Sequence, residues 1–208
     1  LKNDNRILVS EGLKTLNNTK KIGLKHLIEK LGLNEKEINP GQIGYIVAPP
    51  INAIGRMEKP DQGVELLTTT DSKKADSISQ KLIKINKERQ NKEEDIYKQA
   101  LSMIDDNDIK NQKAIILASK GWHRGVIGIV ASRLIDKYYL PVILIAVDEN
   151  GIGHGSARSI DNFDITEGLS YCSETLENFG GHSMAAGLSI QEKNLNEFKV
   201  LFNEYMSD

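Results

Sequence analysis

Cysteine is nearly absent from this chain: Cys172 is the only one in 208 residues. A single thiol excludes an internal disulfide framework and a cysteine-built zinc site. It suits a protein kept in a reducing, cytoplasmic setting. Aromatic residues are sparse as well, at 5% with one tryptophan. An excess of charge is also missing, since 27 Lys and Arg face 29 Asp and Glu for a formal net charge of −2. Contact with a polyanion must therefore come from a local cluster of cations and not from an overall field. No apolar run approaches the roughly 20 residues of a membrane span, and the first residues lack a signal-peptide pattern. The chain opens on Leu1, from which we expect a segment of a longer protein.

Metal chemistry is equally under-supplied. A two-metal phosphoesterase needs several carboxylates and histidines converging on ions about 3.5–4 Å apart. The four histidines, His26, His123, His154 and His182, are scattered, and no His-His pair or Asp-x-Asp on an apolar strand occurs. Asp106-x-Asp108 ends a polar helical stretch and reads as a solvated turn. We expect no metal or cofactor bound by this segment.

The remaining pattern is helical first and α/β later. Residues 1–57 read as short helices and turns, with Ile7, Leu8, Leu13 and Leu16 at helical spacing and a second such run over Ile22–Leu31. The segment Pro40–Met57 is apolar and rich in Gly and Pro. Its Pro49-Pro50 pair predicts a turn in place of a continuous helix, and Arg56 looks buried within it. A long helix is expected over residues 71–107, capped by Thr70 or Asp71. Its apolar stripes are Ile78, Leu82 and Ile85 at one end and Ile96, Ala100, Met103 and Ile104 at the other, while Asn86 to Asp95 holds no apolar residue. Such a helix bridges two packed bodies. A coiled-coil dimer is the alternative, but the polar gap breaks any heptad seam. Beyond Lys113, we expect strands at Ala114–Ala118, Val142–Val147, Gly151–Ala157 and Ala185–Ile190. Helices are expected at Val126–Tyr138, around Ile165–Thr175 and at Leu195–Met206, with a turn at Gly180-Gly181.

Three clusters carry candidate chemistry. Lys120–Arg133 (KGWHRGVIGIVASR) joins a strand to a helix N-terminus, where backbone amides hold anions. His123 and Arg124 add donors, and Trp122 offers a stacking face for a base or sugar; the structural alternative makes Trp122 core and the glycines packing devices. Gly151–Ser159 (GIGHGSARS) presents Ser156 and Arg158, a hydroxyl and a guanidinium suited to phosphate; the alternative is a plain hairpin with a surface arginine. Phe179–Gly187 (FGGHSMAAG) sets Gly180 and Gly181 before His182, an amide-lined concavity for an anion; the alternative is a helix stop and a small-residue packing face.

In order and wording these segments resemble the RecJ branch of the DHH phosphoesterase superfamily. Residues 112–208 resemble its DHHA1 domain, and Ala48-Pro-Pro-Ile-Asn-Ala-Ile-Gly-Arg-Met57 with Leu66-Leu-Thr-Thr69 resembles the end of its catalytic domain. The Gly-Gly-His segment is shared with oligonucleotide and cyclic-dinucleotide phosphodiesterases, whereas the Asn-Ala-x-Gly-Arg and Gly-Trp-His segments point to RecJ. The resemblance implies a mixed sheet flanked by helices, behind a long connector helix over 61–111 and a helical remnant of the DHH domain over 1–60. It implies a parent that cleaves single-stranded DNA from the 5′ end with Mn²⁺ or Mg²⁺, in DNA repair and recombination. This segment would lack the metal motifs and hold substrate phosphates through Arg56, Ser156, Arg158, Gly180, Gly181 and His182. The other readings are a fragment of an oligonucleotide or cyclic-dinucleotide phosphodiesterase and a non-catalytic nucleic-acid-binding module. Expected partners are single-stranded DNA and, through exposed apolar faces of residues 1–57, a second copy.

Overall fold

Apolar residues at helical spacing in the first third of the chain form helices, and the β-branched runs beyond residue 113 form a sheet. The computed structural model describes residues 2–35, 37–104, 109 and 112–207. The chain divides into two units, residues 1–90 and 91–208.

The first unit contains α1 (Asp4–Asn17), α2 (Ile22–Lys30), α3 (Pro40–Gln42), α4 (Ala48–Met57), α5 (Asp61–Thr68) and the start of α6 (Ser72–Met103). Its core joins Leu27, Val47, Ala53, Ile54, Leu66, Ile78, Leu82 and Ile85. No residue of α1 is buried, and Ile7 and Leu8 stand 64% and 69% exposed. The turn expected at Pro49-Pro50 is a helix. A π-helical stretch, Ile43–Val47, carries the chain from α3 into α4, and the Ala48 N–H reaches back to the Ile43 carbonyl. The two prolines then fall in the first turn of α4, where a missing N–H costs nothing and the ring fits the wider preceding turn. Arg56 is exposed on α4, not buried.

α6 runs for 32 residues, roughly 48 Å. Asp71 caps it, its Oδ1 accepting from the backbone N–H of Lys73 at 2.8 Å and of Lys74 at 3.1 Å. Burial follows the apolar stripes. Ala75, Ile78, Leu82 and Ile85 are buried towards one end, Ile96, Ala100 and Ile104 towards the other, and none of residues 86–95 is buried. Met103 departs from the pattern at 46% exposure. The expected continuation to residue 107, and the Asp106-x-Asp108 turn, lie outside the described residues.

The second unit is built on a five-stranded mixed sheet, β1 (Ile115–Lys120), β2 (Val142–Val147), β3 (Ile152–Arg158), β4 (Leu176–His182) and β5 (Ala185–Gln191), in the order β1-β2-β3-β5-β4. β1 and β2 are parallel, joined through α7 (Arg124–Tyr138), and the other pairs are antiparallel. All six residues of β2 are buried, which is why its sequence is unbroken Val-Ile-Leu-Ile-Ala-Val with no polar alternation. One sheet face packs Ile143, Ile145, Ala157, Leu188 and Ile190 against α8 (Ile165–Tyr171) and α9 (Leu195–Tyr205). Cys172 lies in this core, and burial pushes its thiol up to about 11. The Gly180-Gly181 pair expected to turn the chain belongs instead to β4. The reversal comes after it, at Ser183-Met184, where His182 pairs with Ala185 across a two-residue hairpin. Among the described residues no helix is long and apolar enough to cross a membrane.

Phe202 is fully buried, with its ring 5.8 Å from that of Phe198 and 6.3 Å from that of Phe163. Phe202→Ala is expected to cost about 3–5 kcal/mol, read as a lowered midpoint in chemical denaturation followed by circular dichroism.

Candidate nucleic-acid interface

The first cluster forms the entry to α7. His123 is its N-cap, and the His123 Nδ1 accepts from the Gly125 backbone N–H at 3.2 Å. That bond leaves Nε2 to carry the proton of the neutral ring. Burial, and then the charges of Lys92 and Arg124, hold the imidazole below its ordinary titration range. Arg124 is exposed beside it. Trp122 is 6% exposed, and its indole N–H donates to Gln99 Oε1 at 2.9 Å. A ring so enclosed offers no stacking face to a base. The expected stacking role is corrected: Trp122 is core, held there because burying its rings also satisfies its one polar atom.

Arg133, at the other end of the same segment, has no role that the sequence alone suggests. It donates to Glu93 Oε1 at 3.1 Å and through both terminal nitrogens to Glu94 Oε2 at 3.2 Å, with the guanidinium 3.9 Å above the Tyr97 ring. Trp122 and Arg133 thus fix residues 93–99 of α6 against α7. The sequence signal available was the acidic pair Glu93-Glu94 next to Tyr97, four residues on.

The second cluster lies under α7. A β-carbon at Gly128 would stand 2.8 Å from Ser156 Oγ and 3.0 Å from Arg158 Nη2. With no side chain at Gly128, the serine hydroxyl and the guanidinium occupy the space between helix and strand. Arg158 Nη1 donates to Ser156 Oγ at 3.1 Å and to the Ala157 carbonyl at 2.8 Å, which fixes its direction. Ser159, next in line, is 5% exposed and donates to the Phe163 carbonyl, so it serves the fold.

The sheet register joins this cluster to the third. Arg158 pairs with Ala185, which pairs with His182; Ser156 pairs with Gly187, which pairs with Gly180. These form two adjacent rows on the sheet face that α7 shares. Gly187, Gly180 and His182 are exposed, and nothing stands within 4 Å of a β-carbon built at Gly180. Gly181 is different. Its side chain would come within 2.3 Å of the Ala185 carbonyl and 2.5 Å of Ala186 Cα, so glycine is required for β4 to close on β5. The result is an open floor of small residues with a guanidinium and an imidazole at one end. His123 and Arg124 belong to the opposite end of the sheet, where Lys120 pairs with Val147 and Val147 with Gly153. Arg56 belongs to the first unit.

Among the described residues no group of three or more His, Cys, Asp or Glu side chains is placed to hold a metal ion. The described residues do not fit a metal centre.

Residues 111–208 match the DHHA1 domain family, so the sheet of the second unit and the helices against it make up a DHHA1 domain. The chain belongs to the RecJ family. It is 40% identical over 205 residues to the single-stranded-DNA-specific exonuclease RecJ of Bacillus subtilis, a match covering 98% of this chain and 26% of that protein. It is 33% identical to the RecJ of Thermus thermophilus, over 97% of this chain and 28% of that one. The crystal structure of RecJ in complex with Mg²⁺ from Thermus thermophilus matches with a TM-score of 0.86 at 32% identity, covering 98% of this chain and 31% of that one. A crystal structure of exonuclease RecJ bound to manganese matches at 0.85, covering 98% and 50%. The chain therefore spans about a quarter of the length of the curated relatives named here.

The His123 imidazole generates a prediction. Its folded-state pKa lies below the unfolded value, so folding favours the neutral ring. The unfolded chain binds the proton first as pH falls, and stability drops from about pH 6.5 downward. The melting temperature should fall between about pH 7.5 and 5.5, and part of that fall should vanish in His123→Asn, which keeps a capping side chain.

Proposed function

We propose that this chain is the C-terminal part of a single-strand-specific 5′→3′ DNA exonuclease acting in repair and recombination, and that it grips substrate phosphates. On this reading residues 112–208 are the gripping domain, 61–111 the connector and 1–60 the last part of a catalytic domain that supplies Mn²⁺ or Mg²⁺ and the hydrolytic step. The observation that carries it is the sheet register, which sets Arg158 and Ser156 in the same rows as His182 and Gly180 on an exposed face. Arg158 offers a planar pair of donors to a phosphate, and the uncovered floor lets a sugar-phosphate backbone lie flat. The relatives' names as single-stranded-DNA-specific exonucleases support the substrate class. Exposed Ile7 and Leu8 support burial of α1 against further chain or a second copy. A cytoplasmic setting accords with the lone, buried cysteine.

The isolated polypeptide is a binding module. Incubated with Mn²⁺ and 5′-labelled single-stranded DNA, it should leave the label on full-length strand; processive shortening would overturn this reading. Fluorescence anisotropy should show weak binding that falls steeply between about 50 and 200 mM salt. Arg158→Ala should reduce that binding at least about tenfold. Gly128→Ala tests the placement of the same guanidinium. Its methyl group displaces only movable side-chain ends and gains about 1 kcal/mol of helix propensity. Thermal stability should stay within a few degrees of the parent while binding weakens several-fold.

A further inference from the structure

The exposed sheet face continues past the two rows that hold Arg158 and Ser156. His154 on β3 pairs with Ser189 on β5, and Ser189 with Asn178 on β4. The alternation of a strand puts these three on the face of Ser156 and Arg158, one row further along. The Ser189 hydroxyl donates to Asn178 Oδ1 at 3.1 Å, which leaves the Asn178 amide N–H groups as donors. Asn178 is exposed, and His154 and Ser189 are half-buried. His154 Nε2 lies 3.8 Å from Asp148 Oδ2.

The core against α8 and α9 does not require this row. The residues that pack against α8 and α9 from β3 and β5 are Ala157, Ala186, Leu188 and Ile190, on the opposite face. Three hydrogen-bonding side chains from three strands therefore meet outside the α8–α9 core, on the face that α7 shares, where His154 pairs with buried Ala146. The row between, Ser156-Gly187-Gly180, raises no large side chain as a barrier. Rows recur every two residues, roughly 7 Å along the strands, a step that one unit of an extended single strand covers.

We infer that His154, Ser189 and Asn178 form a second subsite, taking the nucleotide next to the one whose phosphate is held by Ser156 and Arg158. The ligand class is a single-stranded oligonucleotide of two or three units laid along β3, β5 and β4. The hydroxyl and imidazole face its backbone, and the amide faces a base edge. This inference rests on the phosphate site proposed above.

The test is an NMR titration of the ¹⁵N-labelled chain with 5′-phosphorylated deoxythymidine mononucleotide and trinucleotide. The trinucleotide should bind at least about tenfold more tightly and shift the amide signals of His154, Ser189 and Asn178, which the mononucleotide leaves in place. His154→Ala, and separately Asn178→Ala, should bring trinucleotide affinity several-fold towards that of the mononucleotide without changing the latter. Asn178 is exposed, so its variant keeps the test open if His154→Ala unfolds. Equal affinity for the two ligands overturns the subsite. So do row variants without effect on the trinucleotide while Arg158→Ala weakens both ligands, an outcome that leaves the phosphate site standing. Unchanged affinities in Arg158→Ala, or no binding of either ligand, overturn the phosphate site and the subsite together.

Discussion

The close approach of α7 to β3 at Gly128 is the constraint on which the exposed face depends. A helix lying on a sheet normally covers the strands with side chains at every turn. Here one turn has none, and the space goes to Ser156 and Arg158. The arginine is then fixed from three sides, by the helix above, the serine hydroxyl beside it and the Ala157 carbonyl. A guanidinium so restrained has already lost most of its rotamer freedom before any ligand arrives, and binding need not supply that entropy. The glycines of β4 and β5 complete the arrangement by keeping the neighbouring surface low.

A second constraint ties α6 to this domain. Arg133 pairs with Glu93 and Glu94 and covers Tyr97, while Trp122 holds Gln99. The ion pairs are partly exposed and each contributes at most about 1 kcal/mol. The buried indole is the larger contributor, since its rings leave water and its N–H is satisfied. The glycine-rich segment thus has two jobs along its length: its ends hold a helix, and its middle makes room for an arginine.

Much of this was legible in the sequence, wherever a local rule decides the outcome. Asp71 caps α6 as expected of an aspartate before a long apolar-periodic run, and the bounds of β2 follow from its six uninterrupted apolar residues. The expectations that failed were those that tertiary context decides. Pro49-Pro50 is a helix breaker only if the preceding turn is α-helical, and the π stretch at Ile43–Val47 removes that condition. Gly180-Gly181 is a turn signal, yet Gly181 is glycine because β4 must close on Ala185 and Ala186. Trp122 and Arg56 have the opposite exposures to those expected, since a single tryptophan or arginine carries no periodicity. The rows joining Arg158 to His182 needed the pairing of β3 with β5, which no spacing in the sequence specifies.

Cys172 has a practical consequence. Its thiol sits between α8 and the sheet, fully buried and held protonated at neutral pH, and a protonated thiol out of solvent is a poor nucleophile. To alkylating reagents the folded chain is in effect free of cysteine, with nothing to remove beforehand. A cysteine introduced anywhere on its surface becomes a unique attachment point for a fluorophore or spin label, on the wild-type background.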